Sequence, residues 1–447
     1  MNTTLLNTLA AFVVLVPAVP AHAQLLLESE PESPFKLNGE ASSLFFWRND
    51  TDFDSTVPYY EEEGQSVGAI STFLKPRIAY TPTDGIELVY ESELGMNFWS
   101  RNDPDQYFPA ADDYMVYKHR EAWTKFSMDF VSLKSGYQRL SDPTHLFLDH
   151  WMGAFALEVA LGNLGGRMFV GQLPDSTYEG LDARDNNFVH DNVAFGLDFS
   201  LLTLDDTLKL EAGAYGMVDH RVARKALTLF DFFMQATYTA DPWKGSMGAH
   251  LQAGKWASSA VDGSDQSILA WAASAMAGYR SKYLDIALNA FALSPDDGNA
   301  GNDAWGAFFY SGKNFSRSRM LTEDELRDRY GNYDERMSAR WGSFFVNRAG
   351  LLVGDLSFTG PILGNLRHEV VFAAGLTLEP DNAMGNGYAG FETTAGLSLA
   401  VAEGAEIVGV AQLFLPGKAA AVYVNEIPGS EQVLSIYGFQ AGTVLKF

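Results

Sequence analysis

The strongest constraint in the sequence is a series of short segments in which apolar and polar residues alternate. From Phe35 onward these segments recur at a period of two, separated by turn residues, and helical periodicity is rare. They cover residues 36–46, 67–80, 86–99, 122–130, 133–140, 154–161, 166–173, 193–201, 208–218, 230–238, 247–256, 270–279, 284–293, 304–311, 351–358, 369–378, 391–401, 407–415 and the C-terminal strand. The pattern predicts an all-β chain of about 18 strands.

The C-terminal strand carries a second signal. Leu445 and Phe439 share one face of it, Gln440 and Lys446 share the other, and the chain ends on Phe447. This arrangement resembles the last strand of bacterial outer-membrane barrels, which the outer-membrane barrel assembly machinery recognises. The resemblance implies that Phe447, Leu445 and Phe439 form an assembly signal. The alternative is an edge strand of a soluble β-sandwich.

Alternation alone does not separate a barrel from a sandwich, because both place an apolar row opposite a polar row. Three further features favour a membrane barrel. Short turns alternate with long polar loops, and about 18 strands exceed what one sandwich needs. Aromatic residues also recur near strand ends, namely Tyr80, Trp99, Tyr238, Trp256 and Tyr279. We therefore predict a transmembrane antiparallel up-and-down β-barrel of 16 to 18 strands over residues 35–447.

The N-terminus is typical of an exported protein. Residues 9–16 are nearly all apolar, and Ala21 and Ala23 flank a cleavage point, which predicts a signal peptide over residues 1–23. Residues 1–10 contain no Lys or Arg, so the amino terminus alone supplies the positive charge. An uncleaved anchor is the alternative, but about eight apolar residues are too few to span a bilayer. A short periplasmic tail at residues 24–34 then precedes a barrel in the outer membrane.

Charge and cysteine content limit the partners. The net charge of -25 argues against nucleic acid, which needs a cationic surface. The acidic residues concentrate in polar loops, where outer-membrane lipid and lipopolysaccharide are the expected neighbours. The chain has no cysteine, so no disulfide stabilises it, and a closed sheet that leaves no edge unpaired supplies the stability instead.

Alternation also predicts which charged residues line the inside of the barrel. If they face water, the surplus of carboxylates makes the lumen neutral to cation-preferring. The alternative is that these groups pair across strands and only keep the wall hydrated. The predicted pore-lining residues are Lys75, Arg77, Glu87, Glu91, Glu93, Lys125, Asp129, Asp198, Lys209, Glu211, Asp231, Glu369 and Glu392.

One long stretch, residues 312–342, does not follow the strand rhythm. Thr322 and Glu325 have the spacing of a helix capping box. A loop of this length is a candidate for a constriction folded into the lumen, and the alternative is an exposed loop whose opposite charges pair. Its candidate constriction residues are Arg317, Arg319, Arg327, Arg329, Arg336 and Arg340.

No motif in the sequence carries catalytic or metal-binding chemistry. The histidines have no metal-ligand spacing, and neither a nucleophile elbow nor a phosphate-binding glycine loop is present. We therefore predict a protein without catalytic residues, metal or cofactor. An outer-membrane protease or lipase stays open as an alternative, because such sites are assembled in space. A periplasmic scaffold is the other alternative.

A weak resemblance suggests a transport class. The chain is similar to the alginate-export family of outer-membrane barrels in a short region, made of Ser135, Gly136, Tyr137, Gln138, Arg139 and Leu140, then Asp149, Trp151 and Phe155. The resemblance implies an 18-stranded barrel that exports an exopolysaccharide, with Arg139 as a lumen contact. That family lines its pathway with arginine, whereas the carboxylates here suit a neutral or amino-sugar polymer. We therefore expect a passive channel for a polysaccharide with periplasmic export partners, with a diffusion porin for small solutes as the alternative.

Overall fold

The computed structural model describes most of the predicted barrel. The described residues are 34–49, 67–100, 115–172, 193–203, 206–219, 227–256, 265–296, 304–310, 317–318, 339–341, 344–346, 348–420 and 435–447. The predicted signal peptide and all but the last residue of the predicted tail lie outside them. No helix in these described ranges is long and apolar enough to cross a membrane.

Eighteen long antiparallel strands form a closed barrel. Each pairs with the next along the chain, and the first pairs with the last over the register from Glu40 opposite Lys446 to Arg48 opposite Gly438. Closure matters because a sheet in lipid has no water to satisfy the backbone groups of an open edge. The prediction of a transmembrane up-and-down barrel of about 18 strands is confirmed.

The strands are numbered along the chain. The first half of the barrel consists of β1 (Phe35–Arg48), β2 (Val67–Thr83), β3 (Ile86–Ser100), β4 (Met115–Met128), β5 (Val131–Ser141), β6 (Asp149–Leu161), β7 (Leu164–Gln172), β8 (Val193–Thr203) and β9 (Leu208–Asp219). The second half consists of β10 (Leu227–Ala240), β11 (Trp243–Trp256), β12 (Gln266–Arg280), β13 (Asp285–Leu293), β18 (Leu351–Leu363), β19 (Leu366–Leu376), β20 (Tyr388–Ala402), β21 (Ala405–Pro416) and β22 (Ile436–Lys446).

Four short strands between β13 and β18 are not among the eighteen long strands of the barrel. They are β14 (Ala304–Trp305), β15 (Phe309–Tyr310), β16 (Ala339–Trp341) and β17 (Phe344–Val346). The prediction of a barrel strand over residues 304–311 is therefore wrong. This stretch pairs only briefly, through β14 alongside β12 and β15 against β17. A single 3-10 turn, Pro380–Ala383, lies between β19 and β20.

The connections alternate in length around the barrel. One end carries short turns such as residues 84–85, 162–163 and 403–404, together with the first strand's start and the chain's last residue. The other end carries the longer connections, including residues 294–350 between β13 and β18, which hold the four short strands. In outer-membrane barrels the short turns face the periplasm. We call the end with the longer connections the mouth.

The strands present two different faces. The outer row carries exposed apolar side chains, for example Phe155 at 60%, Met168 at 54% and Met247 at 71% exposure. Side chains of the inner row are largely buried and include most of the charged residues of the strands. Trp256, predicted to lie in an interfacial aromatic girdle, belongs to the inner row instead and is 1% exposed.

Candidate pore and constriction

The inner row of the barrel divides into parts of different chemistry. Along β2 to β8 it is charged, and six basic residues face six carboxylates. We call this set the ionic wall. Its members are Lys75, Arg77, Arg120, Lys125, Lys134 and Arg167 with Glu87, Glu91, Glu93, Glu121, Glu158 and Asp198.

Arg77 is the central group at one end of the ionic wall. Its guanidinium lies 3.2 Å from a carboxylate oxygen of Glu91 and 3.0 Å from one of Glu121. The strand register places Arg77 directly opposite Glu91, so alternation predicts this pair from β2 and β3 alone. Glu121 also accepts a hydrogen bond from the indole of Trp123 at 3.0 Å.

A second group surrounds Glu93, which is buried at 1% exposure. The ammonium of Lys75 lies 3.5 Å from its carboxylate, and the guanidinium of Arg120 lies 2.8 Å away. Arg120 reaches this position because β4 has a bulge here, where the register shifts between Glu91 and Ser92. A bulge adds one residue to a strand and redirects its side chain.

Further along the wall, Glu158 on β6 is the acceptor. It lies 3.0 Å from the ammonium of Lys125 and accepts a hydrogen bond from Ser132 at 3.1 Å. The ammonium of Lys134 lies 4.1 Å from the ring centre of Trp123, which is a cation-π contact. The bases and carboxylates of this part are thus held close to each other rather than in separate rings.

Arg167 ends the ionic wall and joins it to its neighbour. Its guanidinium donates to Asp198 at 2.9 Å, to the hydroxyl of Tyr215 at 3.2 Å and to the carbonyl of Ser141 at 2.8 Å. Tyr215 donates its own proton to Asp198 at 2.9 Å. These bonds connect β5, β7, β8 and β9 on the inside of the barrel.

Towards the mouth, the inner row from β9 to β13 is mostly buried and apolar. It includes the aromatic residues Tyr215, Phe233, Trp256 and Phe291, and we call it the aromatic wall. Two stretches of chain from the mouth fold inward and pack on it, residues 142–148 between β5 and β6 and residues 304–310 after β13. Ring contacts join Tyr215 with Phe233 at 5.1 Å and Trp256 with Trp305 at 4.9 Å. The main buried cluster includes Leu146, Phe147, Leu148, Trp305, Phe308 and Phe309 from the two inward stretches.

The loop at residues 142–148 folds into the lumen and contacts β11. Thr144 lies 2.7 Å from His250, and Phe147 stacks on Tyr215 with ring centres 6.3 Å apart. Leu146, Phe147 and Leu148 are at most 2% exposed. An inward loop of this kind narrows a barrel wide enough for an aqueous lumen.

Three carboxylates on the inner row of β18, β19 and β20 form a third part, the carboxylate row of Asp355, Glu369 and Glu392. The segment at Arg317 and Ser318 lies against it. Arg317 donates its backbone N–H to Asp355 at 3.2 Å and places its guanidinium 3.6 Å from Glu369. Ser318 donates to Glu392 at 2.7 Å.

These contacts bear on the predicted constriction in residues 312–342. Arg317 contacts the inner wall of the barrel, whereas Arg319, Arg327, Arg329 and Arg336 lie outside the described residues. Arg340 belongs to β16, and nothing is described of its side chain. The predicted role of this arginine set in a constriction stays a prediction.

The predicted pore-lining residues have several different environments. Lys209 and Glu211 pair at 2.7 Å on β9, and Glu87 lies opposite Lys125 in the register. Asp231 and Glu392 belong to the inner row but are 0% exposed, because the inward segments cover them. That the inner row lines a water-filled pore stays a prediction.

Two of the predicted residues depart from the expected inner row. Asp129 lies in the turn between β4 and β5 with a φ of 40°, so its prediction as a wall residue is wrong. Arg139 forms a bidentate ion pair with Asp149, at 2.5 and 2.7 Å. By alternation it shares its row with the exposed Leu133 rather than with the buried Gln138.

Sequence reasoning missed Arg120, Glu121, Lys134, Glu158, Arg167, His250 and Asp355. Arg120 and Glu121 precede the predicted start of their strand, and the bulge at Arg120 has no signal in the alternation. The other five lie inside predicted strands. Extending the outward row from Leu133 or Phe155 would have assigned Lys134 and Glu158 to the inside.

The described part of the chain contains no group of three or more His, Asp or Glu side chains that could hold a metal ion. The geometry is that of a transmembrane barrel with one charged inner wall, one dry inner wall and chain folded in from the mouth. Concave, charge-lined lumens of this kind serve to pass polar molecules.

Comparison with solved structures shows that the chain shares its fold with several proteins of Pseudomonas aeruginosa, among them the outer membrane protein OpdK. OccK9 (OpdG) matches with a TM-score of 0.57 and 11% identity over 92% of this chain and 98% of its own. OccK2 (OpdF) in complex with glucuronate matches at 0.54 and 11%, over 92% and 96%. OpdK with vanillate matches at 0.52 and 12%, over 92% and 98%.

No protein-family model and no curated protein sequence matches the chain. The similarity to the alginate-export family therefore finds no support. At 9 to 12% identity the structural matches show the fold alone.

Proposed function

We propose that this protein is an outer-membrane channel through which small polar solutes diffuse passively. The observation that carries the proposal is the division of the barrel interior. Two inward stretches pack on the aromatic wall, and the ionic wall stands on the other side with bases and carboxylates at hydrogen-bonding distance. A narrowed, charged lumen suits a small polar solute.

The solved structures of the same fold favour a small solute over the export of a polysaccharide. The solved structures of the same fold include porins bound to glucuronate and to vanillate, both small carboxylates. These similarities favour the small-solute alternative, and they favour a channel over an outer-membrane enzyme.

The placement in the outer membrane has support from the strand faces and from the C-terminus. Phe439 and Phe447 are 44% and 40% exposed. The backbone of Phe447 exchanges two hydrogen bonds with Gly39 at 2.8 and 3.0 Å, so the last residue is part of the barrel seam. We propose that Phe439, Leu445 and Phe447 face lipid and serve as the assembly signal.

Two measurements test the channel. Purified protein in a planar bilayer is expected to give stepwise conductance, and liposomes carrying it are expected to swell in glucuronate or in a small sugar. Swelling in a long dextran is expected to be absent. A folded protein that conducts at no voltage and causes no swelling contradicts the proposal, and rapid dextran entry would restore the polysaccharide interpretation. Heat-unfolded protein is the control.

A further inference from the structure

The loop at residues 142–148 is held in shape by its first residue. The carboxylate of Asp142 accepts the backbone N–H of Thr144 and of Leu148, each at 2.7 Å. Its own backbone N–H donates to the carbonyl of Leu148 at 2.8 Å, which closes the loop at its base. These bonds fix the shape of the loop from within.

A buried chain of polar groups ties this loop to β10 and β11. Thr144 donates its hydroxyl proton to Asp142 at 2.5 Å and lies 2.7 Å from Nε2 of His250. Nδ1 of His250 lies 2.8 Å from Asp231. The side chains of His250, Asp142 and Asp231 are 0% exposed. Buried polar groups are generally bonded, and here each of these side chains bonds another, although Oδ1 of Asp231 is buried without a hydrogen-bond partner among the described residues.

The hydrogen bonds orient the imidazole of His250. The Thr144 hydroxyl donates to Asp142, which leaves its oxygen to accept from Nε2 of His250, and Nδ1 faces Asp231.

The surroundings of His250 contain two charged partners. Asp231 faces it from β10, and Asp142 faces it from the loop, with an oxygen 3.9 Å from Nε2. The rings of Phe233 on β10 and Phe308 from the second inward stretch lie 5.9 and 5.8 Å from its ring. These two rings exclude water and leave the hydrogen bonds to hold the imidazole.

We propose that Thr144, His250 and Asp231 form a latch that fixes the 142–148 loop across the lumen and thereby sets the bore of the channel. This inference rests on the proposed function, since it concerns the width of the same pore. His250 and Asp231 are positioning residues, and they act on solutes through the loop. Breaking the latch lets the loop leave the aromatic wall and widens the channel.

The first test removes one hydroxyl. Thr144→Val keeps the volume of the side chain and removes both its bond to Asp142 and its bond to His250. We expect single-channel conductance to rise about twofold, with added open-state noise, because a mobile constriction obstructs less. Thr393→Val, on the outer row of β20, is the matched control and is expected to conduct as the wild type does. Equal conductance of Thr144→Val and wild type overturns the latch.

A second test locks and unlocks the loop in one protein. A Cβ atom built at Gly248 would lie 2.8 Å from the Cγ2 atom of Thr144, and the chain has no native cysteine. In the double variant Thr144→Cys, Gly248→Cys we expect an intramolecular disulfide. The oxidised protein is expected to conduct as the wild type does, and the reduced protein as Thr144→Val does, with full reversal on reoxidation.

The two proposals fail in different ways. A folded wild type without conductance contradicts the channel, and the disulfide then still reports whether the loop docks at β11. A conducting double variant overturns the latch if it forms no disulfide or if its conductance is the same in the oxidised and reduced states. The channel proposal is then unaffected. If Thr144→Val does not fold, the cysteine pair still tests the latch, because its oxidised form keeps the loop docked on β11.

Discussion

The ionic wall and the aromatic wall are made by the same kind of strand yet have opposite interiors. On β2 to β8 the inner row meets its own neighbours, as in the contact of Arg77 with Glu91 and Glu121. On β9 to β13 it meets chain that has folded in from the mouth, as in the contact of Trp256 with Trp305. One wall is completed by cross-strand pairs, and the other by loops.

The difference has an energetic cause. Adjacent charges of opposite sign stabilise each other in a hydrated wall and need no cover. Large aromatic side chains stabilise the fold only when their apolar surface is removed from water. The aromatic wall therefore needs the inward stretches to cover it. We therefore expect the pore to run along the ionic wall, and the following predictions test that division.

The largest expected effect comes from disrupting the packing of the aromatic wall. Trp305→Ala removes a ring that is 1% exposed and contacts both Trp256 and Phe309. Truncating a buried tryptophan costs about 3–5 kcal/mol, so urea unfolding in detergent is expected to shift strongly to lower concentration. Trp243→Ala, at a 59% exposed outer position, is the control with a smaller expected loss. Equal shifts for the two variants would contradict a packed inner wall.

The next effect concerns the charged side. Arg77→Gln leaves Glu91 and Glu121 without their shared cation, which makes the local potential more negative. We expect the cation-over-anion permeability ratio to rise about twofold or more, measured as a reversal potential across a salt gradient. Arg280→Gln, next to a turn and 66% exposed, is the matched control. If Arg77→Gln leaves the reversal potential unchanged, the ionic wall does not border the pore.

The sequence predicted the strands well because each strand carries its own information. Alternation at a period of two is a local property, so β3 or β9 can be recognised without knowing its neighbours. The pair of Arg77 with Glu91 follows in the same way. The prediction for Asp129 was wrong because β4 ends at Met128, two residues earlier than predicted, and Arg120 was missed because its bulge depends on the partner strand.

The inward stretches could not be predicted by the same reasoning. Thr144 and His250 are 106 residues apart, and no local pattern connects them. Residues 304–311 alternate like a strand, yet their apolar side chains fill the lumen instead of facing lipid. Both cases depend on contacts between parts of the chain that are far apart in sequence, and a local pattern does not encode such contacts.

A smaller effect is expected where the two walls meet. Tyr215→Phe keeps the ring that packs on Phe147 and Phe233 but removes the hydroxyl that bonds Asp198 and Arg167. We expect a loss of about 1–2 kcal/mol in the free energy of unfolding, measured by urea titration. Tyr437→Phe, at a 53% exposed outer position, is expected to change little. A variant as stable as the wild type would show that the aromatic packing alone joins the walls.

The smallest expected effect is a pH dependence of the 142–148 loop. His145 lies 3.3 Å from Asp149, and this hydrogen bond raises the pKa of His145 above its usual value, although partial burial opposes the rise. Because the folded-state pKa is the higher one, the stabilisation is complete below the unfolded value of about 6.5 and is lost as the pH rises through the folded value.

Channel noise recorded across this pH window tests the effect. The wild type is expected to become noisier as the pH rises, because His145 loses its charge and its hold on Asp149 weakens. His145→Gln is expected to show little change with pH, and His119→Gln, on a different strand, is expected to follow the wild type. Since Thr144 still anchors the loop to the aromatic wall, the rise in noise is expected to stay below that of Thr144→Val. A pH response that persists in His145→Gln would assign the titration to another group on the lumen side.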